Sequence, residues 1–233
     1  MGRLLLVGNS RWHWAERQTD GLRVWHESGP PAHPTSATDP WADLEAWACV
    51  GSWPAELALP PARRLGVEAV PLRGSPPWLG IDRALAGWQA WRLQGAGVLV
   101  ADAGTCLSLT WIDAAGGFRG GRLSAGFGLQ LRSLHGATAQ LPRLGVAAAA
   151  EDSACEPWPM ATAEAMQRGC LKACVAAVQQ GCTDLAASGE RCRLWLTGGD
   201  SERLLPPLQA AGLEPVHAPD LVLEGLAALA GLS

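Results

Sequence analysis

The sequence predicts an α/β protein built from two similar halves, on three observations. Apolar strand-like runs alternate with helical patterns along the chain. An apolar strand, a glycine turn and a return strand occur twice: the segments starting at Leu4 and at Val100 align at one constant offset, with Gly8 on Gly104, Asn9 on Thr105 and Leu6 on Asp102. The 233 residues, 48% hydrophobic and 17% charged, are enough to bury a large core without staples, as one large domain or two small ones.

The elements run in order from the N-terminus. Leu4 to Val7 closes on the turn signal Gly8-Asn9, and Arg11 to Trp14 alternates in polarity, which predicts a β-hairpin. The proline-rich stretch 29–41 reads as an irregular surface loop, and Asp43 to Val50 as a short helix. Pro60 to Gly66 and Pro71 to Pro77 punctuate the chain between that segment and the next helix. Residues 82–94, apolar at 85, 88, 91 and 93, predict a helix with Asp82 as its N-cap. Val98 to Ala101 is a second strand, Asp102-Ala103-Gly104-Thr105 its turn, and Cys106 to Ile112 the return strand.

Beyond a glycine-rich stretch, Leu129 to Leu134 is helical and Thr138 to Pro142 ends it, while 147–159 reads as a loop. Thr162 is expected to N-cap a helix reaching about Gln180. Leu194 to Leu196 then forms a strand running into Thr197-Gly198-Gly199-Asp200. A helix starts at Ser201, and Leu221 to Leu232 is a closing apolar helix.

Composition removes several function classes. A net charge of -4 with no run of Lys or Arg lacks the footprint of a nucleic-acid binder. No stretch reaches the roughly 18 apolar residues that span a bilayer, and Leu4 to Val7 is too short for a secretion signal, so a cytoplasmic protein is expected. The seven cysteines lack paired C-x-x-C spacing and read as small buried hydrophobes, with Cys170 and Cys174 facing a core from one helix. Lys172 is the single lysine, so there is no P-loop, and a phosphate-binding cation must be arginine. The twelve Trp are expected to pack. Two glycine turns offer backbone N–H groups and hydroxyls between which a polyphosphate fits.

The segments Gly8-Asn9-Ser10-Arg11, Gly80-Ile81-Asp82-Arg83, Asp102-Ala103-Gly104-Thr105, Gly120-Gly121 with Gly126, Thr138 to Pro142, Thr162, Thr197 to Asp200 and Leu223-Glu224-Gly225-Leu226 occur in one order. On these the sequence resembles the type III pantothenate kinases, of the acetate and sugar kinase/Hsp70/actin superfamily. The resemblance implies two duplicated ribonuclease-H-like halves, taken as 1–95 and 96–233, with the active site in the cleft between them. It further implies a homodimer that phosphorylates the small molecule pantothenate to 4'-phosphopantothenate with ATP and Mg²⁺, the first step towards coenzyme A.

The same resemblance implies the site residues. Asp82 is the implied base that accepts the substrate hydroxyl's proton, and Gly80, Ile81, Asp82, Arg83 and Thr162 line the pantothenate site. Arg83 offers a planar fork for the substrate carboxylate. Leu6, Val7, Gly8, Asn9, Ser10, Arg11 and Thr105 form the implied nucleotide site, and Asp102 holds a monovalent cation, potassium or ammonium. Two positions depart from the family pattern: Leu6 stands where the family carries Asp, and His13 where it carries Lys. A kinase-like regulatory or ligand-binding protein with impaired catalysis is the alternative that Leu6 raises.

Overall fold

The computed structural model describes residues 2–29, 41–51, 53, 58–145 and 157–231, which form two compact units. The first comprises Met1–Gly95, Ile112–Arg119 and Asp220–Ser233, and the second Ala96–Trp111 and Gly120–Pro219. The loops expected at 29–41 and 147–159 lie largely outside the described residues.

The first unit holds a sheet of β1 (Arg3–Val7), β2 (Trp12–Gln18), β3 (Gly21–Glu27) and β4 (Leu44–Cys49) in the order β3-β2-β1-β4. The expected hairpin is β1 with β2, and β3 extends it through the two-residue turn Thr19-Asp20, with Gly21 opening β3. The segment expected as a helix at 43–50 is instead strand β4, parallel to β1. Five of its six residues are buried, so both faces are apolar and no alternation marks it as a strand.

One sheet face packs Leu5, Val7, Trp12, Trp14, Leu44 and Trp47 with Trp41 and Leu59. Trp14 stacks between Trp25 and Trp41, with centroids at 6.0 and 6.4 Å, and its indole N–H donates to Glu27 at 3.0 Å. The tryptophans therefore supply apolar area while a polar atom keeps its partner. On the alternate positions Leu4, Leu6, Ala15, Ala46 and Ala48 are buried. Helix α1 (Ile81–Gln94) belongs to this unit and packs against the C-terminal helix of the chain.

The second unit holds β5 (Val98–Ala103), β6 (Cys106–Ile112), β7 (Phe118–Ala125), β8 (Arg193–Thr197) and β9 (Val216–His217) in the order β7-β6-β5-β8-β9. Its first four positions repeat the order of the first sheet, and β8 runs parallel to β5 as β4 does to β1. Helices α2 (Phe127–Ala137), α3 (Thr162–Ala187) and α4 (Ser201–Ala210) cover it around Leu99, Leu107, Leu131, Val178, Leu196 and Leu208. Cys170 and Cys174 are buried in this core as expected. Helix α3 runs seven residues past Gln180 to Ala187, and Thr162 is its first residue, not its cap, which is Ala161.

The C-terminal helix, α5 (Leu221–Leu229), belongs to the first unit and packs on α1, β1, β2 and β4. Gly225 makes this approach possible, because a Cβ there would lie 2.9 Å from the main-chain oxygen of Leu85. Among the described residues no helix is long and apolar enough to cross a membrane.

Candidate active site

The first glycine turn, Gly8 to Arg11, joins β1 to β2. Gly8 N–H donates to Arg11 O at 3.0 Å, and Asn9, Ser10 and Arg11 are exposed. Gly8 has no room for a side chain: a Cβ would lie 2.8 Å from Arg11 O and 3.2 Å from His13 Nε2. Asn9 leans towards Gly51, where a Cβ would lie 3.2 Å from its Oδ1. Leu6 and Val7 precede the turn as buried strand residues.

The two departures at Leu6 and His13 are neighbours. Leu6 pairs with His13 across β1 and β2 and with Ala48 across β1 and β4, and it is 6% exposed. Burial, then His26 and Arg11, push the His13 pKa down to about 4, so the imidazole is neutral near pH 7. A neutral ring beside a leucine leaves no unpaired charge in the sheet, whereas losing one member of an Asp–Lys pair would.

At the start of α1, Gly80 is the N-cap and Ile81 the first helical residue, so Asp82 is not the cap expected for it. The Asp82 carboxylate accepts from the Arg83 N–H at 2.8 Å and folds over Gly80, whose missing Cβ leaves the space it occupies. Burial pushes the Asp82 carboxyl up from its ordinary value, against hydrogen bonds from its own and the Arg83 N–H groups and the Arg83 charge. Arg83 lies over the Phe118 ring at 5.9 Å, and its desolvation outweighs the favourable Asp82 charge. Gly80 and Ile81 line an open cavity of about 250 Å³ with Arg64, Glu68 and Trp78. Sequence reasoning missed Arg64 and Trp78: one arginine among many and one tryptophan among twelve carry no local signal.

The second turn is more tightly built. Gly104 N–H donates to Cys106 O at 3.0 Å, and Gly126 N–H donates to Thr105 O at 3.0 Å. Gly126 is the N-cap of α2, and a Cβ there would run into Gly104 O and Thr105 O. Asp200, the N-cap of α4, donates its N–H to Ala103 O at 2.8 Å. Two helix N-termini therefore abut one turn, an arrangement that favours an anion. Asp102 pairs with Thr197, and its carboxylate fills the space a Cβ of Gly198 would need, with Gly198 at φ +92°. Thr197 to Asp200, to which the sequence assigned no role, thus packs directly on the Asp102 turn. Thr162 stands exposed at the start of α3.

Comparison with known proteins agrees with this architecture. A solved structure from Campylobacter jejuni, described as a Baf family transcriptional activator, superposes with a TM-score of 0.58 over 97% of this chain and 96% of that one, at 16% identity. The activator of 2-hydroxyisocaproyl-CoA dehydratase from Clostridium difficile, solved with bound ADPNP, gives 0.51 over 98% and 92%, at 10% identity. At these identities the likeness shows the fold alone, two α/β units that repeat one strand order.

Sequence relatives carry the assignment further. The type III pantothenate kinase of Synechococcus elongatus is 34% identical over 99% of this chain and 97% of its own length. That of Burkholderia mallei is 31% identical over 97% and 98%. The family model described as type III pantothenate kinase matches residues 60–184, which include Gly80 to Arg83, both second-turn residues Asp102 and Thr105, and Thr162. With the collinear segments, the duplicated strand order and these full-length relatives, the chain belongs to the type III pantothenate kinase family.

Proposed function

We infer that this protein catalyses ATP-dependent phosphorylation of pantothenate to 4'-phosphopantothenate, the first step of coenzyme A biosynthesis. The observation that carries the reading is the full-length relationship to type III pantothenate kinases, with Gly80 to Arg83 intact at the start of α1. Nothing favours the catalytically impaired alternative: Leu6 and His13 replace a charged pair by a neutral one in the same sheet row.

Each group has its own share of the work. Asp82 accepts the proton of the substrate's primary hydroxyl as its oxygen bonds to the γ-phosphorus, while the bond from that phosphorus to the β–γ bridging oxygen breaks and ADP leaves carrying that oxygen. The partial burial that raises its proton affinity brings it closer to the operating pH, as a base requires. Arg83 and the cavity beside Gly80 hold pantothenate, and Thr162 contributes a hydroxyl to it. The Gly8 to Arg11 turn and Thr105 hold the nucleotide, with the N-termini of α2 and α4 facing the anion at the second turn.

Among the described residues no three His, Cys, Asp or Glu side chains gather as a metal-binding group. Mg²⁺ would be held by ATP itself, by water and by Asp102, and would supply positive charge to the phosphates. Asp102, an oxygen donor among main-chain carbonyls, fits a monovalent cation such as potassium or ammonium, which would offset phosphate charge there. A cytoplasmic homodimer completes the reading.

Coupled measurement of ADP release, with and without pantothenate, tests it. Release that depends on pantothenate is the expected result. Release indifferent to pantothenate, or none at all from folded protein, sinks the assignment.

A further inference from the structure

His13 and His26 face each other across β2 and β3, a directly opposed pair in the antiparallel register. Their Nδ1 atoms are 3.0 Å apart, and the rings meet edge to face with centroids at 4.8 Å. Two bare Nδ1 lone pairs repel, and two Nδ1–H groups clash, so a bond at this distance holds one proton between them. Its location decides the chemistry of the opposite nitrogens. The two possibilities place an N–H or a lone pair at His13 Nε2.

His26 is exposed, so water satisfies its Nε2 in either state. His13 is half-buried, and its Nε2 lies against the Gly8 turn, where Arg11 O borders the same space. That surrounding offers an oxygen acceptor, and a ligand phosphate would offer more. Acceptors call for an N–H at Nε2, which puts a lone pair at His13 Nδ1 and the shared proton on His26. Other neighbours do not compete: Leu6, opposite His13 on β1, is apolar, and Arg11 disfavours a second proton on the ring.

We propose that His26 is a positioning residue for the nucleotide: its Nδ1–H fixes His13 as the neutral Nε2–H form, whose N–H is a donor to a phosphate oxygen at the Gly8 to Arg11 turn. The pair thereby supplies at this turn a directed hydrogen bond in place of a point charge. The depressed proton affinity of His13 supports this, because an imidazolium would donate from both nitrogens and turn the bond around with His26 as acceptor, whereas the neutral ring can accept from His26. The proposal rests on the reading of this turn as a nucleotide site.

Two-bond ¹H–¹⁵N spectra of the full-length protein at about pH 7 read the tautomers directly. Expected are an Nε2–H pattern for His13 and an Nδ1–H pattern for His26. Kinetics supply the functional arm. His26→Phe keeps a ring and removes the donor, and should raise KM for MgATP roughly 2- to 12-fold, the weight of one neutral hydrogen bond, with KM for pantothenate unchanged. His26→Asn returns an N–H to the Nδ1 position and should restore KM for MgATP. An Nδ1–H pattern for His13, or an unchanged MgATP KM in folded His26→Phe, overturns the role of His26. Titration with MgADPNP separates this from the underlying reading. If the amides of Gly8 to Arg11 fail to shift, the turn is no nucleotide site and both fall; if they shift, only the proposal is at stake.

Discussion

Asp82, the base proposed above, is the residue whose surroundings bear most directly on the proposed catalysis. Its carboxylate sits in the first turn of α1, bonded to the Arg83 N–H and lying over a glycine that leaves room for it. Burial favours the neutral form, so the group keeps its proton above the ordinary aspartate value of 3.8. A base works ionised, so kcat/KM should fall on the acid side with a midpoint above that value, and Asp82→Asn should remove about 10² to 10⁴-fold of activity. Stability should move the other way. A raised folded-state value contributes stability below about 3.8 that is lost as pH rises through it. The asparagine variant keeps the acceptor oxygen and escapes this loss, so at about pH 8 its Tm should equal or exceed the parent's, the difference closing towards acid pH. Activity within about threefold of the parent, or a Tm several degrees lower, would remove Asp82 from its role. The sequence made this residue visible through Gly80-Ile81-Asp82-Arg83 but mistook it for the cap, because the nearest polar side chain is read as a cap while Gly80 takes the position here.

Among the elements, the buried strands rich in Leu and Val, β1, β5 and β8, were legible, and the alanine-bearing β4 was not. The β1–β2 hairpin announced itself by its turn and alternation, and α1 and α5 by helical spacing. Strand β4 did not, because Ala46, Trp47, Ala48 and Cys49 are all buried and the run reads as a helix in isolation. Only its parallel pairing with β1, some forty residues earlier in the chain, makes it a strand. Gly225 shows the converse, a motif position whose purpose is packing. It lets α5 approach α1 so closely that a Cβ would lie 2.9 Å from Leu85 O and 3.3 Å from the Gln89 Cβ. Gly225→Ala would gain about 1 kcal/mol of helix propensity but must push against main chain, and overpacking costs about 1–3 kcal/mol. Gly225→Val adds more bulk and no comparable propensity. We expect the alanine variant to be destabilised by about 1 kcal/mol and the valine variant by about 3 kcal/mol in urea unfolding. A stabilised alanine variant would show that the helices separate freely and that the glycine answers to something other than contact.

Across the whole molecule, the same strand order occurs twice, with a carboxylate in the second copy where the first has a leucine. The repeat was legible because each copy carries its strand, glycine and return strand within a dozen residues. The membership of Ile112–Arg119 and Asp220–Ser233 in the first unit rests on contacts remote in sequence, such as Phe118 N–H to Arg73 O at 2.8 Å, and leaves no local pattern. The first copy has become neutral at its sheet row, with Leu6 beside an uncharged His13, while the second keeps Asp102. A carboxylate beside a phosphate-binding turn repels the anion it is meant to serve unless a cation stands between them. The N-termini of α2 and α4 offset part of that repulsion, each equivalent to about half a charge and confined to the first turn of the helix. Asp102 should therefore make turnover depend on a monovalent cation, and the second copy alone should carry that dependence. Potassium titrated against a large organic cation at fixed ionic strength separates specific binding from screening. The parent should be active in potassium and nearly silent in the organic cation. Asp102→Asn should narrow that difference and raise KM for ATP, since it removes the oxygen charge proposed to hold the cation. Equal parental rates in the two salts would abolish the site. Full potassium dependence surviving in folded Asp102→Asn would keep the cation but move it away from this turn, leaving Asp102 to act only through its packing on Gly198.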